Sequence, residues 1–184
     1  MVAEIVGNRM EIEIRAAKAQ DIDTIERLYG AVLELLTATE NTTGWGNEYP
    51  VRSDAEAALS EGELYVALIG DKLAGTAIIN QKPAPEYFGE PWRVDCEWSE
   101  ALIVHTLATH PDYQRNGVAA ALLRHAEKLA RQRGYRAIRL DGYRENTTAF
   151  ALYEKLGYKF VGMVDLNLQH DNLDWFRMYE LEIK

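Results

Sequence analysis

Apolar and polar residues trade places with two different periods along this chain. Residues 11–15 (EIEIR) alternate, which predicts a strand with one face inward. From Ile22 the period lengthens. Ile22, Ile25, Leu28, Tyr29, Val32 and Leu36 recur at helical spacing, with Asp21 placed to cap that helix. SDAEAALSE (53–61) predicts a short second helix. LYVALIG and LAGTAIINQ read as two apolar strands of a hairpin turning at Gly70 and Asp71, with Gly75 marking a bulge. Three of the five prolines fall in 82–93 (KPAPEYFGEPWR), which reads as a loop. ALIVHTLAT (101–109) is a strand. The helix after QRNG runs to about Arg133, with Ala119, Leu122, Ala126, Leu129 and Ala130 on its apolar side and Gly134 where a helix-ending glycine belongs. AIRLD is a strand, Asn146 caps a helix through ALYEKL, and Gly157 ends it. Strands near YKFVGMVDL and WFRMYELEI, parted by QHDNLD, complete the chain.

This order predicts one mixed α/β (α+β) domain over residues 1–184, with 1–10 a flexible lead-in. The length of 184 residues and an apolar content of 47% suit one packed core. A formal charge of −9, from 29 acidic and 20 basic side chains, argues against nucleic-acid binding and agrees with a cationic small molecule. Cys96 is the single cysteine, so no disulfide forms within the chain and a cytoplasmic setting is expected. The N-terminal stretch lacks the basic head and apolar run of a signal peptide, and no segment has the apolar length of a membrane span.

The connection HPDYQRNG joins a strand to a helix whose first N–H groups have no partner within the helix. With the helix dipole, these groups suit an anion. Gly117 lets a phosphate approach the backbone, Ala119 is small, and Arg115 can add a charge-assisted contact. The glycine spacing is neither the dinucleotide fingerprint nor a P-loop, and ordinary turn chemistry accounts for Asn116 and Gly117 about as well.

Residues 107–119 (LATHPDYQRNGVA) closely resemble the acetyl-CoA-binding signature of the Gcn5-related N-acetyltransferase family, with Gln114, Gly117 and Ala119 at its key positions. NTTAFALYEKLGYKFVG (146–162) resembles the family's second cofactor-side motif. The resemblance implies the family's fold, a mixed central sheet with flanking helices whose central strands splay. It also implies acetyl transfer from acetyl-CoA to an amine by direct attack. Backbone groups of Leu107 and Thr109 would pair with the pantetheine arm. Those of Gln114, Arg115, Asn116, Gly117, Val118 and Ala119 would cradle the pyrophosphate, and Asn146 would hydrogen-bond the cofactor. Tyr153 would protonate the leaving thiolate. His105 matches a histidine that helps deprotonate the amine in the aralkylamine-acetylating branch. That branch's second strand histidine is absent, since Ile103 stands there.

The remaining candidates concern the acceptor. Glu97 and Glu100 are alternative bases or cation ligands. Trp45, Glu48 and Tyr49 fall where the family covers its acceptor, and aromatics beside a carboxylate can hold an ammonium. Equally, such aromatics can pin loops to the core; for Trp92 and Trp98 packing or a dimer contact is the favoured reading. Dimers are common in the family, so the 81–98 loop is a candidate contact in a homodimer. His110 is expected to be structural, and His125 to face solvent. His170 lies in the late loop, and Cys96 is an inert thiol. The histidines show no metal-binding spacing. The expected acceptor is a small-molecule primary amine. The alternatives are a protein or peptide amine, or a silent acetyl-CoA-binding regulator.

Overall fold

The computed structural model describes residues 11–46, 48–168 and 175–184. The lead-in at 1–10 and the loop with His170 lie outside the described residues. Strand β1 (Ile12–Ala16) leads to helices α1 (Ile22–Ala38) and α2 (Arg52–Ser60), then to the hairpin β2 (Leu64–Ile69) and β3 (Lys72–Asn80). A long loop precedes β4 (Ala101–Thr109), α3 (Val118–Arg133), β5 (Ala137–Tyr143), α4 (Thr147–Lys155), β6 (Lys159–Val164) and β7 (Phe176–Glu182).

The seven strands form one sheet in the order β1-β2-β3-β4-β5-β7-β6. All neighbouring pairs are antiparallel except β4 and β5, which run parallel. A parallel pair needs a crossover, and α3 supplies it. Alternation along the strands divides the core between two faces. On one face Leu102, Val104, Ile138 and Leu140 pack with Leu122, Leu123 and Ala126 of α3 and Phe150 and Tyr153 of α4. On the other, Val66, Ile78 and Ala108 meet Ile25, Leu28 and Tyr29 of α1, while Ile103, Phe176 and Met178 meet Tyr87 from the long loop.

Two local expectations change. Asp21 stands before α1, but its carboxylate caps nothing there. It accepts from both Arg15 amino groups at 2.7 and 2.9 Å and from Lys18 N–H at 2.7 Å. The two-pronged guanidinium outcompetes a single helix N–H. His125 is not turned to solvent. Its ring lies 5.0 Å from that of Tyr65, with Nε2 buried and without a hydrogen-bond partner. Position 125 follows Leu122 by three residues, so it falls on the inward flank of α3.

The hairpin bulge falls at Ala74, beside the expected Gly75. Gly75 has a stricter duty. A Cβ there would stand 2.5 Å from Val118 Cγ1 and 2.8 Å from the Ala108 carbonyl oxygen. Its bare backbone lets the start of α3 press against β3.

Candidate functional site

The site begins where the parallel pair ends. β4 and β5 pair only over Ala101–Ile103 and Ala137–Arg139, then diverge. The β3–β4 register shows why β4 turns away. Ile78 faces His105 and Thr76 faces Ala108, so β4 carries an extra residue there. Thr106 sits in this bulge at φ +48°, a conformation that is costly for a β-branched side chain. Its hydroxyl is tied to the Tyr49 hydroxyl at 2.5 Å. His110 N–H bonds the Ala74 carbonyl on β3 at 2.9 Å. Strand alternation therefore aims the backbone of Leu107 and Thr109 at the opposite, unpaired edge.

Beyond that edge, His110 Nδ1 accepts from Asp112 N–H at 3.2 Å and starts a single turn over Pro111–Tyr113, which is the structural use expected of it. Arg115 at φ +62° and Gly117 at φ +87° then swing the chain into α3. Gln114, Arg115, Asn116 and Gly117 are exposed, whereas the Val118 side chain is buried in the core and offers the site only its backbone. The first helical bond runs from Ala121 N–H to the Gly117 carbonyl. The N–H groups just before it are free to meet an anion, and left-handed residues interleaved at such a turn make an anion-binding concavity. A free strand edge leading into bare N–H groups fits an extended amide-bearing arm that ends in phosphates.

Inside the splay, Arg139 and Asp141 of β5 point to the face opposite α3, because Ile138 and Leu140 point toward it. Asp141 accepts a hydrogen bond from Tyr87 Oη. Burial lifts its carboxyl to about 6, against the opposing pull of that bond. Tyr153 is 6% exposed, and burial, then the Asp141 charge, raises its phenol well above the ordinary range. Its hydroxyl makes no hydrogen bond among the described residues. Burial pushes the Tyr49 phenol upward, the Thr106 hydrogen bond opposes it, and the charges of Asp54 and then Asp141 add to the rise. Tyr87 is thus the phenol in contact with this carboxyl, while Tyr153 and Tyr49 feel its charge without touching it. Asn146 caps α4, its Oδ1 accepting from Ala149 N–H at 3.2 Å, which leaves its amide N–H groups for another partner.

His105 shares the sheet face of Ile103 and Asp141, but its ring is turned to β3. Nε2 lies 3.1 Å from Asn80 Oδ1, which also accepts from Lys82 N–H, so Nε2 is the donor. Burial lowers the imidazole pKa and keeps the ring neutral.

The 81–100 loop is held by a buried clamp. Arg139 Nε bonds Glu180 Oε1 at 2.9 Å, and its guanidinium lies 4.7 and 4.5 Å from the ring centres of Trp92 and Trp98. Glu180 Oε2 accepts from the N–H groups of Arg93 and Val94, and Arg139 donates to the Val94 carbonyl. Trp92 and Trp98 are packing residues here. Cys96 lies 3.5 Å from the Arg139 guanidinium, and burial raises its thiol pKa, which disfavours the reactive thiolate. Glu97 and Glu100 sit before β4 at the closed end of the β4–β5 pair, where Glu100 accepts from Glu97 N–H at 3.0 Å. They are not gathered with Asp141 and Tyr153. Trp45 packs against the α1 core and meets Tyr49 edge to face at 6.1 Å, while Glu48 is exposed between them.

Sequence reasoning missed Asp141 and Tyr87. The signal was present in IRLDGY, since two charged residues at alternate positions of an otherwise apolar strand must be compensated inside the fold.

Comparison with known proteins agrees with this geometry. The acetyltransferase (GNAT) family matches residues 31–158. The streptothricin acetyltransferase of Streptomyces lavendulae is 24% identical over 171 residues, spanning 82% of this chain and 83% of that protein. The ribosomal protein bS18-alanine N-acetyltransferase of Escherichia coli is 42% identical over 52 residues, 28% of this chain and 35% of its own. In three dimensions, a GNAT-family acetyltransferase from Streptococcus agalactiae overlays with a TM-score of 0.75 at 24% identity, covering 94% of this chain and 95% of its own. A Salmonella typhimurium structure solved with its cofactor acetyl-CoA overlays with a TM-score of 0.70 at 16% identity, covering 95% of each chain.

Proposed function

The chain belongs to the acetyltransferase (GNAT) family, and from that premise we propose that its acceptor is the primary amine of a small cationic molecule. Acetyl-CoA supplies the acetyl group as an activated thioester. The free edge at Leu107 and Thr109 and the turn Gln114–Ala119 are the parts of this chain that would hold it, with Arg115 adding charge and Asn146 an amide donor.

Asp141 carries the reading. An amine arrives as an ammonium and must lose a proton before it can attack. A carboxylate at the splay mouth both attracts the ammonium and accepts that proton. A carboxyl shifted to about 6 is ionised at neutral pH yet basic enough for the task. Tyr153, held protonated by burial, gives a proton to the departing thiolate. Tyr49 stands by to meet the cation with its ring. We assign the first proton transfer to Asp141 rather than His105, because burial lowers the His105 imidazole pKa and its one N–H is spent on Asn80, on the side away from β5. His105 lines the acceptor side as a neutral, polar wall.

A small acceptor is favoured by the extent of the similarities. Likeness to the streptothricin enzyme runs through most of the chain, whereas likeness to the bS18 enzyme is confined to 52 residues. The net charge of −9 also favours a cation. The test is acetyl-CoA consumption with a panel of polyamines, arylalkylamines, aminoglycosides, streptothricin-type amines and N-terminal peptides. Turnover highest with a small cation supports the reading. Turnover with peptides alone refutes it, and cofactor binding without turnover refutes catalysis.

A further inference from the structure

Tyr87 is 1% exposed, although it belongs to a loop. Its ring stacks on Trp98 with centroids 6.1 Å apart and meets Trp92 edge-on at 5.2 Å. Trp92 Nε1 donates to the Tyr87 carbonyl at 3.0 Å. Both tryptophans flank Arg139, whose partner Glu180 holds the backbone at Arg93 and Val94. The Arg139–Glu180 clamp and the two tryptophans converge on one phenol, whose hydroxyl reaches Asp141 across 54 positions of chain. Proline at 85 fixes the short turn Pro85–Tyr87 from which the ring departs.

We propose that Tyr87 is a positioning residue for Asp141, and that the Arg139–Glu180 clamp holds the 81–100 loop so that this phenol orients the carboxylate toward the acceptor. The inference rests on the reading that Asp141 accepts the amine proton. One Asp141 oxygen is committed to Tyr87, which leaves the other without a hydrogen bond among the described residues. Tyr87 from the loop bonds Asp141 directly, and the Asp141 charge is felt by Tyr153 of α4 and Tyr49 before α2; His105 lies on the neighbouring strand, past the point where β4 and β5 stop pairing. Arg139, two positions back on β5, is engaged with Glu180. On β7 the facing residue is Met178, which carries no charge. Tyr87 is therefore the donor that stabilises the ionised form.

The sign of its effect follows. A hydrogen bond to the carboxylate favours ionisation, so losing it must raise the pH at which Asp141 becomes a base. In Tyr87→Phe the acid limb of the kcat/KM profile for the amine should move up from about pH 6 by about one to two units. KM for acetyl-CoA should stay within about twofold, since Tyr87 lies on the acceptor side. Site-specific 3-fluorotyrosine at position 87, a stronger donor, should move the limb down. An unmoved limb in a Tyr87→Phe enzyme that melts like wild type overturns the proposal. If that variant does not fold, the fluorotyrosine enzyme decides, and an unmoved or raised limb overturns it. Asp141→Asn separates the two levels. Turnover retained in that variant refutes Asp141 as proton acceptor, and this inference with it. Turnover lost there while the Tyr87 limb stays fixed refutes the positioning role alone.

Discussion

Replacing Gly75 with alanine adds one methyl group at a place remote from any reacting atom, yet it should be felt at the phosphate-binding turn. The new Cβ would lie 2.5 Å from Val118 Cγ1 and 2.8 Å from the Ala108 carbonyl oxygen. Carbon atoms at rest stand about 3.5–4.0 Å apart, so the first contact is too short by about 1 Å. Val118 cannot rotate away easily, because a β-branched side chain in a helix has one favoured rotamer. The second partner is backbone and cannot rotate at all. Overpacking of this kind costs about 1–3 kcal/mol, and the backbone partner places it near 3. For a chain of this size that lowers Tm by roughly 6–12 °C. The cheapest relief is to lift the first turn of α3 off β3, which moves the N–H groups at Gly117–Ala119. Weakening one phosphate contact by about 1.4 kcal/mol costs tenfold in affinity, so KM for acetyl-CoA should rise about tenfold. Thermal melts and KM measurements read both effects. Gly62→Ala is the control, because its φ of +72° brings backbone strain but no neighbour lies within 4 Å. It should lower Tm by a few degrees without changing KM. A Gly75→Ala enzyme melting within 2 °C of wild type, on the scale of about 2–4 °C per kcal/mol, would refute the crowding argument. A large fall in Tm with KM like the control would refute the link from β3 to the phosphate turn.

Other expectations are simpler. Tyr153→Phe should lower kcat by roughly 10²- to 10⁴-fold, the usual worth of a general acid, with KM for acetyl-CoA nearly unchanged; steady-state kinetics check it, and a kcat within threefold of wild type contradicts the role. His105→Gln should lower kcat/KM less than about tenfold and leave the acid limb in place, because burial already keeps the imidazole neutral; a lost acid limb in a pH series would move the proton acceptor to His105.

Much of the frame was legible in the sequence because local chemistry punctuates it. Gly117 and Gly134 adopt left-handed conformations at the two ends of α3, and Asn146 caps α4 with its side chain. ALIVHTLAT appears as β4 over the expected residues. Leu107 and Thr109 lie on the part of β4 beyond its pairing with β5, and the Gln114–Ala119 turn follows directly. What escaped the sequence depends on tertiary pairing. The Thr106 bulge is set by strand register and by Tyr49, not by its own propensity, since threonine rarely accepts positive φ. Tyr87 and Asp141 meet only after the sheet has formed and the loop has closed. Trp92 and Trp98, which read as packing or a dimer contact, pack by sandwiching Arg139, a partner the sequence does not point to. His125 reads as polar beside Arg124, and only the packing of α3 against Tyr65 turns it inward.

The central claim is that Asp141 takes the proton of the acceptor amine at the splay. Its side chain also makes a prediction for the folded state. The carboxyl binds its proton more tightly folded than unfolded, so stability declines as pH rises from about 3.8 to about 6 and stays lower above that window. The cost is about 3 kcal/mol at neutral pH, an order-of-magnitude figure. Asp141→Asn removes that charge and keeps an oxygen for Tyr87, so the variant should melt no lower than wild type at pH 7.5. The decisive measurement is acetyl transfer to the best amine by this variant at pH 7.5, with acetyl-CoA saturating. The account predicts a loss of at least about 10²-fold from an enzyme that is folded and still binds acetyl-CoA. Transfer within a few-fold of wild type would contradict it.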